Sequence, residues 1–500
     1  MAELALSIAG LAGTVDVCIK WGHAFVRACN DYRNANDKLE ELFVRVQACW
    51  WRIANQLEVT KTLESTMADD YKDLQQRMLF VLSTKLENAI QKLSECDKHP
   101  IFNMSKRLKF VRLRDALEES ITELESWQRR SEPSWFSLIK YAPTQFGTLV
   151  DVVGTTIESS PVARKFRRAF VDPARNPQSS FISKSEFRRC GENPVSHSMA
   201  CIATRPGGRK AYIVDTATEG AVAEDDARAF AWRLRDSDPF TFGILKCKGA
   251  VNLSTRTRSA FRFVFYIPEG YTNIRSVRQL LLSGQSHGSL SDRLEMAKRL
   301  AKAVYYVHLY GFVHKSIRPE TMLTISRADE VKLPSIACLV GFQLIRQEDG
   351  KTYSVADCRW ETNVYRHPRR QGSSVDYYVM QHDIYSLGVC LLEIGLWESL
   401  VVYQADGIAQ PSAALGLDSD RSQLQNPDAL KDHLTRLSRS TALRAKMGTY
   451  YSEVVETCLT CLDEDNMDFG DERDFQDEDG AAVGVRYMEK ILGKLDRISL

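Results

Sequence analysis

Apolar residues recur every three or four positions through three long stretches of the first 130 residues, a spacing that predicts amphipathic helices. Leu39, Leu42, Phe43, Val46, Trp50, Ile53 and Leu57 share one face of the first, which Asn36 or Asp37 can cap with Glu40 as box partner. A second stripe, Tyr71, Leu74, Met78, Leu82, Leu86, Ala89 and Leu93, follows from about Asp69, and a third carries Leu113, Leu117, Ile121, Leu124 and Trp127. A single stripe cannot be buried by its own helix. With the uncharged run Leu4 to Val15 (LALSIAGLAGTV), the three predict an antiparallel bundle of four or five helices over residues 1–150. That run is shorter than the roughly 20 apolar residues of a membrane span. It reads as the first helix of the bundle, with latent membrane insertion as the sharper alternative. No Glu-x-x-His pair repeats on the polar faces, which argues against a metal-binding bundle.

The pattern fades over residues 151–182, where Pro161, Pro173 and Pro177 accompany the basic cluster Arg164, Lys165, Arg167 and Arg168. This segment reads as a linker or brace; its cluster is either a solvated face or a contact for anionic lipid. From residue 183 the period changes. Strand-like runs at Met199 to Thr204 and Ala211 to Val214 flank the turn Pro206-Gly207-Gly208, and a helix follows at about Asp225 to Leu234. Further strands are predicted near Gly243 to Cys247 and Arg262 to Ile267, ahead of Pro268-Glu269-Gly270. Ser289 with Asp292 caps a helix carrying Leu294, Ala297, Leu300, Ala301, Val304 and Val307, and helices including Met447 to Leu462 close the chain. The predicted class is therefore multidomain: an N-terminal all-α bundle followed by an α+β region over 183–500.

Composition changes this picture little. Of 500 residues, 44% are hydrophobic and 26% charged, as in ordinary globular chains, and a formal net charge of +1 gives no argument for a nucleic-acid partner. Twelve cysteines lack a framework spacing, and Glu3 and Asp16 bracket the only apolar N-terminal run, so a reducing cytosol is expected rather than a secretory route. Cys458 and Cys461 form a lone C-x-x-C with no second pair to complete a zinc site. The acidic run Asp463 to Asp479 would place Met467 and Phe469 at ligand positions of a calcium loop, so it reads as an insertion.

The candidate chemistry centres on His314-Lys315-Ser316-Ile317-Arg318-Pro319-Glu320-Thr321, just beyond the Ser289-capped helix. Downstream lie Ala337-Cys338-Leu339-Val340-Gly341-Phe342-Gln343, then Tyr365-Arg366-His367-Pro368-Arg369, then His382-Asp383-Ile384-Tyr385-Ser386-Leu387-Gly388-Val389. The first stretch resembles the catalytic loop of protein kinases, His-Arg-Asp-Leu-Lys-Pro-x-Asn, and the others resemble that family's Asp-Phe-Gly turn, the end of its activation segment and the start of its central helix. His314, Pro319 and Phe342 keep the frame, Ile317 and Arg318 are near-equivalents of its Leu and Lys, and Asp383 corresponds to the family's structural Asp. Ser316 stands in place of the catalytic Asp, Thr321 in place of the metal-binding Asn, and Gly341 in place of the metal-binding Asp. Phosphoryl transfer needs a carboxylate at the substrate hydroxyl and oxygen ligands for Mg²⁺. A serine hydroxyl cannot replace a base typically worth roughly 10² to 10⁴ in rate. No G-x-G-x-x-G glycine loop lies near residues 181 to 205, and no A-x-K lies in the third strand, where only Lys210, at its mouth, could reach a phosphate with displaced register. The resemblance covers 183–500 and implies a bilobal fold, with a small lobe over 183–270 and a large lobe over 271–500.

The N-terminal stripes, with the opening apolar helix and the Trp50-Trp51 helix, resemble the fungal HeLo domain, whose members include membrane-disrupting cell-death effectors. The combined order is similar to that of the mixed-lineage kinase domain-like effectors of necroptosis. These resemblances imply a catalytically inactive, pseudokinase-type regulator of a bundle that self-associates and engages anionic membrane. They imply a cytoplasmic protein recruited to membranes on activation, with no cofactor and no metal. Two alternatives stand beside it: a divergent kinase binding ATP and Mg²⁺ through Lys210 and a carboxylate such as Glu320 or Asp357, and a scaffold whose bundle only dimerises.

Overall fold

The computed structural model describes residues 10–33, 39–98, 106–141, 160–171, 180–187, 190–205, 207, 210–283, 289–328, 336–347, 359–371, 377–417, 424–466, 468–469 and 481–498. An N-terminal helical region is followed by a mixed helix-and-sheet region, and the chain divides into two compact units after Arg164.

The first unit is built from helices α1 (Gly10–Arg33), α2 (Glu40–Leu63), α3 (Asp69–Lys98) and α4 (Lys106–Tyr141). Helices α2, α3 and α4 bury most of the stripes their sequences announce, with Leu42, Phe43, Val46, Trp50, Ile53 and Leu57 on α2, Leu82, Leu86 and Leu93 on α3, and Leu117, Ile121 and Leu124 on α4, while Met78 of the α3 stripe is only half-buried. The caps expected at Asn36 or Asp37, and residues 4–9 of the opening run, lie outside the described residues. Helix direction alternates along the chain, as expected of an antiparallel bundle, but the parallel pairs are packed side by side rather than across the diagonal. Asp16 pairs with Lys61 and Asn30 with Gln47, so α1 and α2 are antiparallel. Thr14 meets Gln76 and Cys18 meets the Leu79 carbonyl, so α1 and α3 run parallel. Arg45 reaching Glu125, and Cys49 reaching Gln128, make α2 and α4 parallel too. The chain crosses the bundle diagonal between α2 and α3, through the tight turn Glu64–Thr66. The crossing of α1 and α2 is close because Gly22 faces the Trp50 indole; a Cβ on Gly22 would lie 1.8 Å from the ring. Among the described residues no helix is long and apolar enough to cross a membrane.

Helix α5 (Pro161–Val171) carries the basic cluster, with Arg164, Lys165 and Arg168 exposed. Its Phe166 is buried within the second unit against Phe242 and Tyr310. An antiparallel five-stranded sheet follows, in the order β1-β2-β3-β5-β4: β1 (Gly191–Pro194), β2 (Cys201–Thr204), β3 (Ala211–Thr216), β4 (Cys247–Asn252) and β5 (Phe261–Tyr266). Helix α6 (Glu224–Arg233) packs on β4. The strand expected at Gly243 to Cys247 starts only at Cys247. Asp238 caps a helical turn at Pro239–Phe242, and Gly243, at φ 63°, closes that turn before the strand can begin.

The rest of the unit holds β6 (Tyr271–Ser276), helix α7 (Val277–Leu282), helix α8 (Leu290–Leu309), β7 (Phe312–Val313), β8 (Met322–Arg327), β9 (Ile336–Leu339) and β10 (Arg346–Gln347). The capping box expected at Ser289 and Asp292 is present, with the Asp292 backbone N–H on Ser289 Oγ and the Ser289 N–H on Asp292 Oδ2. Helix α9 (Met380–Leu396) is buried along its whole length, and α12 (Thr449–Leu459) crosses it closely at Gly388, where a Cβ would meet Cys458 at 2.7 Å. Between them come the hairpin β11 (Val401–Tyr403) and β12 (Ala409–Pro411), then α10 (Pro427–Ser438) and α11 (Thr441–Met447). Cys458 and Cys461 are core residues, the Cys461 thiol donating to the Gln381 carbonyl, and no metal-ligand cluster occurs among the described residues. Asp463 of the acidic run pairs with Lys431, and Asp468 with Lys490 and Lys494; residues 467 and 470–480 lie outside the description.

Candidate functional site

The loop from His314 to Thr321 leaves β7, which pairs with β10, and is held from beneath by the first turn of α9. Asp383 Oδ2 accepts the His314 N–H at 2.8 Å, and Oδ1 accepts both the Lys315 N–H at 2.9 Å and the Tyr378 hydroxyl at 2.6 Å. The His308 ring lies 3.0 Å from Oδ2. Burial alone would raise this carboxyl, but the hydrogen bonds it accepts, the one from His308 first, hold it at about 2, so it is a fixed anion around which the loop is wound. Lys315 adopts φ 63° to present its N–H, and burial, with Arg346 and Arg370 nearby, pushes its ammonium down to about 8.

His314 is fully buried, which pushes its imidazole down to about 4 and keeps it neutral. Its Nε2 faces the Val340 carbonyl at 3.0 Å, and its Nδ1 accepts the Ser316 N–H at 3.3 Å. The ring is thus committed to spacing the loop from β9. Arg318 donates its N–H to Thr321 Oγ1 and its guanidinium to Thr362. The Thr321 hydroxyl lies 2.9 Å from the carbonyls of both Ser316 and Arg318, so it is spent on closing its own turn.

Thr321 and Gly341 come together. The Val340 N–H binds the Thr321 carbonyl at 2.8 Å, and Gly341, at φ 80°, lies so close that a Cβ would be 2.2 Å from Thr321 Cγ2. A threonine methyl occupies the space that a side chain at 341 would need. Phe342 is buried against Phe230, Phe265 and His314. Lys210 is exposed and precedes β3; Asp215, the residue of β3 that reaches the Phe342 N–H, is five positions along the strand, roughly 16 Å at strand rise. The structure does not bring Lys210 to the other candidates.

Three features escape sequence reasoning. The turn between β1 and β2 is fastened down: Ser198 Oγ donates to the Glu320 carbonyl at 2.8 Å, Ser276 Oγ to the Ser196 carbonyl at 2.7 Å, and the His197 ring packs on Tyr403. Beneath it, Arg278 of α7 is wholly buried and bonds Glu320 Oε1 at 2.9 Å and Glu393 Oε1 at 2.8 Å. Tyr365 and Tyr403 donate to these carboxylates, and Ser399 accepts from Arg278. Burial would raise Glu320, but Arg278 and then Arg318 more than offset it, leaving a carboxylate below its ordinary value. The third is Asp215 itself. A buried Arg on a short helix and an Asp in a strand carry no spacing signal, because their partners lie up to 127 residues away. Asp357, the other carboxylate considered as a base, lies outside the described residues.

No family model matches this chain, and no curated protein matches it.

Proposed function

We propose that the second unit is a pseudokinase-type module in a bilobal kinase-like fold, with no phosphoryl-transfer activity, and that it regulates the N-terminal bundle. The observation that carries the reading is the packing of Thr321 on Gly341. At the two positions where the kinase frame keeps oxygen ligands for Mg²⁺, this chain has a methyl group against a bare backbone, with no room for a carboxylate. Three further observations support it. Ser316 stands where a base belongs. Glu320, the alternative base, is neutralised by Arg278. The β1–β2 turn, which in the kinase frame would cover a nucleotide, is bonded to the loop beneath it.

For the bundle we adopt the HeLo-like reading: a self-associating helical module that engages anionic membrane once released, in a cytoplasmic protein recruited on activation. A regulatory module needs only a modest bias, since about 5.5 kcal/mol carries a two-state balance from 1:99 to 99:1. Two measurements test the reading. Thermal melting of the full chain with and without Mg²⁺–ATP is expected to show no metal-dependent shift. Dye release from vesicles rich in anionic lipid is expected from residues 1–150 and to be suppressed in the full chain. A Mg²⁺-dependent shift would favour the divergent kinase; a bundle that dimerises without releasing dye would favour the scaffold.

A further inference from the structure

We infer that Asp215 is a proton-linked latch: the Gly341–Phe342 turn closes onto the five-stranded sheet when this carboxyl is protonated and loosens when it ionises. The geometry is specific. Asp215 lies on β3 opposite Phe263 of β5, has no exposed surface, and its Oδ2 accepts the Phe342 N–H at 2.6 Å. Its Oδ1 is buried without a hydrogen-bond partner among the described residues. The bond to Phe342 seats that ring among Phe230, Phe265 and His314, and together with the Thr218 N–H on the Gln343 carbonyl at 2.9 Å it ties the sheet to the turn beside the candidate site.

Among the described residues the surroundings offer Asp215 no cation. Its stabilising contacts are the backbone N–H groups of Phe342, Gly341 and Thr216. From β2 the nearest titratable group is Cys201, whose thiol is itself raised, by burial first and in small part by Asp215. On β5, Arg262 is turned to Glu192. On α6 the side chain against the turn is Phe230, while Asp226 binds Gln347 and Arg233 binds the Tyr310 carbonyl. Across the Phe342 ring stands the neutral His314. Burial is the largest influence, and it outweighs the three N–H donors, pushing the carboxyl up to about 6 from an ordinary 3.8.

The sign follows from linkage. The closed turn binds the proton more tightly than an opened one in which Asp215 meets water, so closure is favoured as pH falls and opposed as pH rises through about 4 to 6. The full window is worth about a hundredfold in the opening equilibrium, of which about tenfold lies between pH 5 and pH 7.5. At neutral pH the turn is closed over a buried anion that a modest differential contact from a bound partner can release. This device rests on the geometry of β3 and the turn and is independent of whether the unit lacks phosphotransferase activity.

Hydrogen exchange of the full chain, read by mass spectrometry on peptides spanning 339–345 and corrected for intrinsic chemistry, tests the latch. Opening is expected to increase about tenfold from pH 5 to pH 7.5. Asp215→Asn keeps the acceptor and removes the charge, so it is expected to stay protected at both pH values. Asp215→Ala orphans the Phe342 N–H and is expected to expose the turn at both. Protection in the unsubstituted chain that does not vary with pH, or exposure of Asp215→Asn equal to that of Asp215→Ala, would overturn the latch. Should a variant fail to fold, the pH profile of the unsubstituted chain alone decides.

Discussion

The two units place their charges in opposite ways. In the N-terminal bundle the buried polar side chains among the described residues, such as Tyr71, Gln75 and Ser134, are uncharged, and ion pairs such as Arg45–Glu125 and Lys92–Glu119 lie on the partly exposed rim. In the second unit the charges are innermost: Arg278, Glu393 and Asp383 have no exposed surface. A rim pair is screened by water and contributes little, whereas a buried pair is costly to break because the partner left behind is an uncompensated charge in a poor solvent. The bundle is therefore specified by shape and the second unit by paired charge, and substitutions of similar size should act very differently on them.

The largest effect is expected at the centre of the buried network. Arg278→Met strands Glu393 and Glu320 beneath the β1–β2 turn and should cost about 3–5 kcal/mol, seen as a lower melting temperature for the second unit with the bundle transition unchanged. Next comes Asp383. Its carboxyl is held at about 2 against an ordinary 3.8, a contribution of about 2 kcal/mol to stability. That contribution is complete above the ordinary value and is lost as pH falls toward 2, so Asp383→Asn should flatten acid denaturation in that window while lowering stability at neutral pH. Gly22→Ala tests shape in the bundle. The added methyl meets the Trp50 indole, and overpacking of about 1–3 kcal/mol should exceed the helix-propensity gain of up to about 1 kcal/mol. The smallest effect is expected at the rim, where Arg45→Ala should change bundle melting by no more than about 1 kcal/mol. If Arg45→Ala proved as damaging as Arg278→Met, the contrast between the units would fail.

The same contrast sets what a reader of the sequence can see. Stripes at helical spacing are local, and α2, α3 and α4 are legible from Leu42, Leu82 or Leu117 and their repeats, as is the Ser289–Asp292 box. The order of helices around the bundle is not, because both tight and diagonal connections are compatible with one stripe per helix. The late start of β4 at Cys247 does carry a local signal, Asp238-Pro239 before a glycine, which the apolar content of the segment masks. At the candidate site, the altered letters at Ser316, Thr321 and Gly341 are visible in the chain. That Thr321 and Gly341 fill one another's space is not, since they lie 20 positions apart with β8 and β9 between them. Arg278 and Asp215 were beyond reach for the same reason: their meaning lies in partners that only the fold assembles.

Gly341→Asp restores the missing carboxylate by type, yet it must overcome a φ of 80° and the Thr321 methyl, so it is expected to destabilise the unit without conferring Mg²⁺ binding. The most direct test of the central claim is incubation of the full chain with γ-labelled ATP and Mg²⁺, alone and with a generic protein substrate. No label above a no-protein control is expected on the chain or the substrate. Label that accumulates with time, and is abolished by chelating the metal, would contradict it.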